Sequence, residues 1–281
     1  MERSWSPVFY SVHREQRDAL LAEGWNSIEV GSEMVVDPRV WKTTGKKWQD
    51  VRTAINKAKR DGITDVQSTF LESPLEVREQ IEDISEEWAQ LKALPEMKFT
   101  LGGVEELRDP RVRLLYAVDA DGRVLGVTSW LPTWRDGRVI GWTLDFMRHR
   151  TDSPNGIMEF LIARMAERLR DEGAADPERA AEFMSLSAAP LAGMNPERDN
   201  AGEGGAPAGE GTQVLQHALQ IVADWMEPAY GFHSLFNFKR KFQPTEAPVY
   251  VCYPDPAALP QIGLAVVRAY VPVSYTHLTL P

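Results

Sequence analysis

The sequence predicts an α/β protein: a mixed sheet with helices on both faces. Three observations carry that prediction. Between Val112 and Met147, alternating apolar runs are separated by Asp121-Gly122 and Asp136-Gly137, the signature of an antiparallel meander. Amphipathic helical patterns precede the meander from Ser73 and follow it from Gly156. Further on, short strand patterns alternate with helical ones, an order that places helices on both faces of a sheet.

Each element has its own local reason. Pro7 to Glu23 reads as a strand or loop followed by a short helix that Gly24 ends, and Ser27 to Val36 alternates as a strand. From Trp41 to Gly62, Trp48, Val51 and Ile55 recur at helical spacing, and Gly62 can cap the helix. Ser73-Pro74 opens the clearest helix, with Ser as N-cap and Pro at the first position. Val77, Ile81, Ile84, Trp88 and Leu91 form its apolar stripe, Glu79, Glu82, Asp83, Glu86 and Glu87 its polar face, and Pro95 stops it. Strands are expected at Val112 to Val118, Val124 to Leu131 and Val139 to Met147. In the last of these, Trp142, Leu144 and Phe146 are expected on one face and Asp145 on the other. Asn155-Gly156 leads into a helix carrying Met158, Leu161, Ile162, Met165 and Leu169 on its apolar side, closed by Gly173. Phe183 to Ser187 is a short strand, 193–212 a Gly- and Pro-rich flexible loop, and Val214 to Met226 a helix. Pro248 to Tyr253 is a strand and Leu259 to Tyr270 the last helix.

Composition narrows the function. With 281 residues, 43% hydrophobic and 26% charged, the chain is long enough for one large domain or two small ones of ordinary soluble type. A formal net charge of −10 argues against a uniformly nucleic-acid- or lipid-binding surface, so any such contact needs a local basic patch. That patch is Lys42, Lys46, Lys47, Arg52, Lys57, Lys59 and Arg60, the strongest positive island in the sequence. The one cysteine, Cys252, lies in an apolar strand pattern and reads as a buried thiol, which excludes an internal disulfide framework. No run of about 18 apolar residues and no signal-peptide pattern is visible, so the expected compartment is the cytoplasm. His13, His149, His217 and His233 lack metal-ligand spacing, so no metal is expected. Ser129 and Ser187 lie in no Gly-x-Ser-x-Gly elbow, so a hydrolase is not supported.

The stretch from Gly141 to Gly156, GWTLDFMRHRTDSPNG, carries the most chemistry. It presents Asp145, Arg148, His149 and Arg150 where a strand end meets a helix start, a place where anions collect in α/β folds. The element order from Leu75 is also that of GNAT-type acyltransferases, which bind an activated acyl donor where the central strands splay. Enzymes of that fold that use acetyl-CoA wrap its pyrophosphate with an Arg/Gln-x-x-Gly-x-Gly/Ala loop. The corresponding loop here, Arg148 to Gly156, lacks the paired glycines and contains Pro154, which removes a donor N–H. A donor without that pyrophosphate is expected, and no cofactor.

The segments GKKWQDVRTAINKAKRDGI (Gly45 to Ile63), ISEEW (Ile84 to Trp88), GRVLGVTSWLP (Gly122 to Pro132), GWTLDFMRHR, PNGIMEFLI (Pro154 to Ile162), SLSAAPLA (Ser185 to Ala192) and FHSLFNFKRKFQP (Phe232 to Pro244) occur in an order and spacing that resembles the catalytic C-terminal domain of bacterial phosphatidylglycerol lysyltransferases. These are the aminoacyl-phosphatidylglycerol synthases, or multiple peptide resistance factors. The resemblance runs from about Pro7 to Tyr270. It implies tandem GNAT-like halves: a remnant of the first over 1–66, with the basic helix, and a complete catalytic half over 67–272. Val273 to Pro281 reads as the translation of a sequencing adapter and is expected to be non-native. The resemblance also implies transfer of an amino acid, lysine above all, from aminoacyl-tRNA to a hydroxyl of phosphatidylglycerol. It places the full-length protein at the cytoplasmic face of the membrane, with a membrane-embedded N-terminal region as partner and this fragment soluble.

The resemblance assigns roles to Asp145, Arg148 and the lysines of FKRKF, and the chemistry of the remaining candidates suggests theirs. Asp145 and Arg148 match the family's Asp-x-x-Arg pair lining the aminoacyl pocket, where a carboxylate can hold an ammonium and a guanidinium an ester or phosphate oxygen. His149 is the candidate general base. Lys239, Arg240 and Lys241, with Arg150 and Ser187, are candidate substrate-binding residues; the two lysines are implied to face the tRNA terminus or lipid phosphate. Lys46, Lys47, Arg52, Lys57 and Arg60 are the candidate tRNA contacts. Two other readings compete: an N-acyltransferase using acyl-CoA on the same fold, and a non-catalytic module that docks RNA or a membrane protein.

Overall fold

A computed structural model describes residues 7–91, 102–190 and 232–270. The loop expected over 193–212, the helix Val214 to Met226, Pro95, His217 and the tail Val273 to Pro281 lie outside the described residues. The described chain runs β1 (Phe9–Val12), α1 (Arg14–Ala22), β2 (Asn26–Val36), α2 (Gln49–Arg60), β3 (Thr64–Ser68), α3 (Leu75–Gln90), β4 (Arg113–Val118), β5 (Val124–Arg135), β6 (Arg138–His149), α4 (Ile157–Ala175), β7 (Phe183–Pro190), α5 (Phe232–Arg240), β8 (Thr245–Tyr253) and α6 (Leu259–Tyr270).

The strands form one eight-stranded sheet in the order β1-β8-β2-β7-β6-β5-β4-β3. All neighbours are antiparallel except β6 and β7, which are parallel and joined through α4, as a parallel pair must be. The expected meander is β4-β5-β6; β5 and β6 run longer than the sequence suggested, to Arg135 and His149, while β4 begins one residue later, at Arg113. The edge strand β3 was not anticipated. It straddles the 66/67 position, and β2 lies between β7 and β8, so the sheet is continuous across that expected boundary.

Alternation along β4 divides the core. Leu115 and Ala117 pack with α2 and α4, while Leu114 and Tyr116 pack with α3, Phe70 and Leu107. Ile81 and Ile84 are fully buried on α3, as the stripe predicted, but Leu91 is exposed. On α2 the buried residues are Val51, Ala54 and Ala58, with Trp48 and Ile55 partly buried beside them. Trp41 is buried and meets Trp48 edge-on at 4.8 Å, so these rings pack against each other. Cys252 is a buried free thiol on β8, as expected.

Three local expectations are corrected. Ser73 does not cap α3: its hydroxyl donates to Thr69 O at 2.8 Å, and Pro74 holds the cap position. Gly173 does not close α4, which continues to Ala175. Phe146 does not share a face with Leu144. Leu144 packs with α4 and Phe146 with α3, because β6 carries an extra residue at this point. Thr128 pairs with Met147 and Trp130 with Leu144, so Asp145 and Phe146 together oppose Ser129. The Phe146 N–H donates to the buried Ser129 hydroxyl at 3.0 Å, which compensates for the interrupted ladder.

Candidate active site

Strands β6 and β7 pair only at Gly141–Phe183, Trp142–Met184 and Thr143–Ser185. Beyond that point β6 follows β5 and β7 follows β2, so the two part. Asp145 to His149 forms one lip of the opening and Ser187 to Pro190 the other. A side-chain bridge crosses near the apex, from the Ser187 hydroxyl to Leu144 O. Parted central strands leave backbone groups and side chains facing a gap, the place where the element order predicts an acyl donor.

The bulge arms the β6 lip. In a regular strand, residues three apart point to opposite faces. Here the extra residue brings Asp145, Phe146 and Arg148 to the α3 side. Asp145 accepts the Gly102 N–H at 3.1 Å. Burial raises its pKa above the ordinary carboxylate value, with the nearby Glu106 carboxylate adding to the rise and the Gly102 N–H opposing it. Gly102 is required by space: a Cβ there would sit 1.8 Å from Asp145 Oδ2. Arg148 is 4% exposed and lies over the rings of Trp88 and Phe146, at 4.3 and 4.4 Å. It also donates to Ser85 O at 3.2 Å and to the Ser85 hydroxyl. The pair expected from the sequence thus shares one side of the sheet, with different neighbours. His149 is exposed, with Nδ1 2.8 Å from Arg150 O. A neutral ring that donates from Nδ1 leaves Nε2 unprotonated. Arg150 is turned inward, donating from Nε to Val124 O at 2.9 Å.

The cations after α5 part company. Lys239 is 3% exposed and donates to Ser187 O and Ala188 O, both at 3.3 Å, so its ammonium sits against the β7 lip. Burial lowers its pKa to about 8, and the Glu33 carboxylate opposes that fall. Arg240 is exposed beside Glu246 at 3.7 Å, and Lys241 is held by Glu159 at 2.8 Å. Ser187 has φ of +66°, a left-handed conformation that is strained for a side-chain-bearing residue.

The end of the turn expected to receive a pyrophosphate in acetyl-CoA enzymes lies close against α2. Gly156, with φ of +94°, precedes α4, and a Cβ there would lie 2.9 Å from Ala54 Cβ on α2. Glu159 stands in the first turn of α4, paired with Lys241. A carboxylate there already complements the positive helix end. On the basic island, Arg52 is committed to Thr43 O at 2.5 Å and Gly45 O at 2.6 Å, and Lys57 to Asp61 at 2.7 Å. Lys46, Lys47 and Arg60 are exposed.

Sequence reasoning did not find Gly102, Ser85, Glu33, Ser185 or Glu159. Glu33 left a signal, an acid inside the apolar strand run GSEMVV. Gly102 left none, since the need for it arises only when distant segments meet. Among the described residues no helix is long and apolar enough to cross a membrane, and no cluster of candidate metal ligands is present.

Residues 1–253 match the family described as phosphatidylglycerol lysyltransferase, C-terminal. An uncharacterized protein of Corynebacterium glutamicum is 38% identical over 95% of this chain and 31% of its own length. A phosphatidylglycerol lysyltransferase of Bacillus subtilis is 26% identical over 90% of this chain and 26% of its own length. The chain therefore spans less than a third of these relatives. The solved L-PGS of Bacillus licheniformis superposes with a TM-score of 0.72 at 22% identity, covering 94% of this chain and 72% of that one, a likeness of fold. The parted β6–β7 seam sits in a chain that belongs to the phosphatidylglycerol lysyltransferase C-terminal family.

Proposed function

We propose that this domain transfers an aminoacyl group, lysyl above all, from aminoacyl-tRNA to a hydroxyl of phosphatidylglycerol. The observation that carries the reading is the lip of β6. A half-buried carboxylate, Asp145, stands on the β6 lip beside the point where β6 and β7 part, set to the α3 side by a bulge and bonded to the Gly102 N–H. A carboxylate whose charge is opposed by burial and by Glu106 gains from a cationic partner, and the ammonium of an aminoacyl ester is one. Glu159 at the start of α4 supports a donor without the pyrophosphate of coenzyme A.

The reaction is an ester exchange. The lipid hydroxyl attacks the aminoacyl carbonyl, the bond to the tRNA ribose oxygen breaks, and the lipid proton ends on that ribose oxygen. The aminoacyl ester of tRNA is already activated, so no cofactor is called for. The protein's contribution is positioning and stabilisation of the developing oxyanion. In this scheme Asp145 holds the α-ammonium, Arg148 and Lys239 supply positive charge at the seam, and Nε2 of His149 receives the proton in transit. Ser187 and Arg150 shape the seam, and Arg240 with Lys241 borders it. Exposed Lys46, Lys47 and Arg60 meet the tRNA backbone beyond the acceptor end, with Arg52 and Lys57 stiffening that surface. The full protein's membrane-embedded region would bring the lipid to this domain at the cytoplasmic face, with 1–66 read as what remains of a first GNAT-like half.

The test is transfer of radiolabelled lysine from lysyl-tRNA to phosphatidylglycerol vesicles, with alanyl-tRNA as comparison. Asp145→Asn is expected to lower kcat/KM at least about 100-fold, since it removes the charge that orients the donor. The same variant is expected to melt at a higher temperature than wild type at neutral pH. The raised pKa means that the ionised carboxylate destabilises the fold above that pKa. The gain should therefore shrink as pH falls toward the ordinary carboxylate range. Full activity in Asp145→Asn would overturn the assignment.

A further inference from the structure

We infer that Glu33 is a positioning residue for this site: from β2 it tethers, through Ser185, the bent end of β7 whose carbonyls hold the Lys239 ammonium. The inference rests on the reading that Lys239 serves the transfer reaction, and it assigns a role to a side chain two strands away from β6.

The connections are continuous. The Ser185 hydroxyl, fully buried, donates to Glu33 Oε1. The same hydroxyl accepts the Ser187 N–H at 3.0 Å. That contact lies at the residue whose backbone turns left-handed, φ +66°. Ser187 O and Ala188 O then receive Lys239 Nζ, both at 3.3 Å. The other oxygen of Glu33 is paired with His13 Nε2, just ahead of α1. A strained residue at a parted strand persists only where its surroundings over-determine it, and the Glu33–Ser185 contact is such a constraint.

Glu33 also acts through space. Its own pKa is held below the ordinary value by His13, Ser185 and the charge of Lys239, against the effect of burial. The other charged groups near α5 have separate partners: Glu159 on α4 holds Lys241, and Glu246 on β8 lies beside Arg240. Asp145 on β6 is bonded to Gly102. Glu33 is the carboxylate whose charge raises the Lys239 pKa against burial, so its removal is expected to move the Lys239 titration to lower pH.

The test uses the whole domain with 13C-labelled lysine side chains, the Lys239 signal being assigned by its loss in Lys239→Ala. In wild type that signal is expected to titrate at about 8. In Glu33→Gln it is expected to titrate at lower pH, and the alkaline fall of kcat/KM for lysyl transfer moves down with it. Ser185→Ala keeps the carboxylate but cuts the tether. It is expected to lower kcat about ten- to a hundredfold through misplacement, with the titration shifted less than in Glu33→Gln. Glu33→Asp should restore the titration in part. His13→Gln separates the other titratable group on Glu33 and should leave the alkaline limb in place. A merely structural Glu33 would lower the melting temperature and leave both the titration and the alkaline limb of the folded enzyme unmoved, which would overturn the inference. Absence of lysyl transfer by wild type would overturn the proposed function instead, and the titration would still decide whether Glu33 governs Lys239.

Discussion

At the scale of single residues, the site is a set of charges whose neighbours are fixed by small contacts. Gly102 shows how narrow the tolerance is. A methyl group placed there would overlap the Asp145 carboxylate, with 1.8 Å to Oδ2. Gly102→Ala is therefore expected to lower kcat/KM for aminoacyl transfer about 100-fold while the melting temperature changes little, since Gly102 lies in a loop outside the packed core. Assays of turnover and thermal unfolding on the same preparation check both halves. The chemistry-bearing residues of the β6 lip were legible in the sequence as acid, base and imidazole at a strand end. Their partners were not. Asp145 meets Gly102 and Arg148 meets Ser85 across 43 and 63 positions respectively, and no local pattern encodes contacts of that separation.

At the scale of elements, the β6 bulge decides which way the site faces. The alternation read from the sequence put Leu144 and Phe146 on one face, and would have put Asp145 and Arg148 on opposite faces. One extra residue opposite Ser129 changes both outcomes. Ser129→Ala leaves the buried Phe146 N–H without its acceptor. It should cost about 1–3 kcal/mol in denaturant unfolding and lower transfer activity more than the stability loss alone accounts for. A variant as active as wild type would show that the bulge holds without the hydroxyl. Amphipathic helices and Asp-Gly hairpins were readable because both are local periodicities. The bulge was not, because it is a property of register between two strands. The cap of α3 was misread for a related reason: Ser73 and Thr69 form a turn of their own that takes the hydroxyl first.

At the scale of the whole molecule, the sheet does not respect a boundary near residue 66. β2 supplies the edge to which both β7 and β8 bind, and β7 carries the second lip of the site. A fragment beginning at residue 67 would expose the edges of β7 and β8 and lose the packing of α2 on α4. It is expected to be aggregated or to lack near-ultraviolet circular dichroism, whereas the full chain should unfold with one cooperative transition across that boundary. An independently folded 67–272 fragment with lysyl-transfer activity would contradict this. The mixed α/β architecture was legible from element order, and the long-range closure of β2 by β8 was not.

That closure has a consequence for synthesis. Ile28 faces Val251 across the β2–β8 ladder, so a strand made near the start waits for one made near the end. Until β7 is made β2 has neither neighbour, and until β8 is made one side of this apolar ribbon keeps open hydrogen-bonding groups. Long-range strand pairing of this kind is slow and leaves intermediates open to aggregation. Production of this domain should therefore depend on chaperone supply and elongation rate more than its native stability suggests.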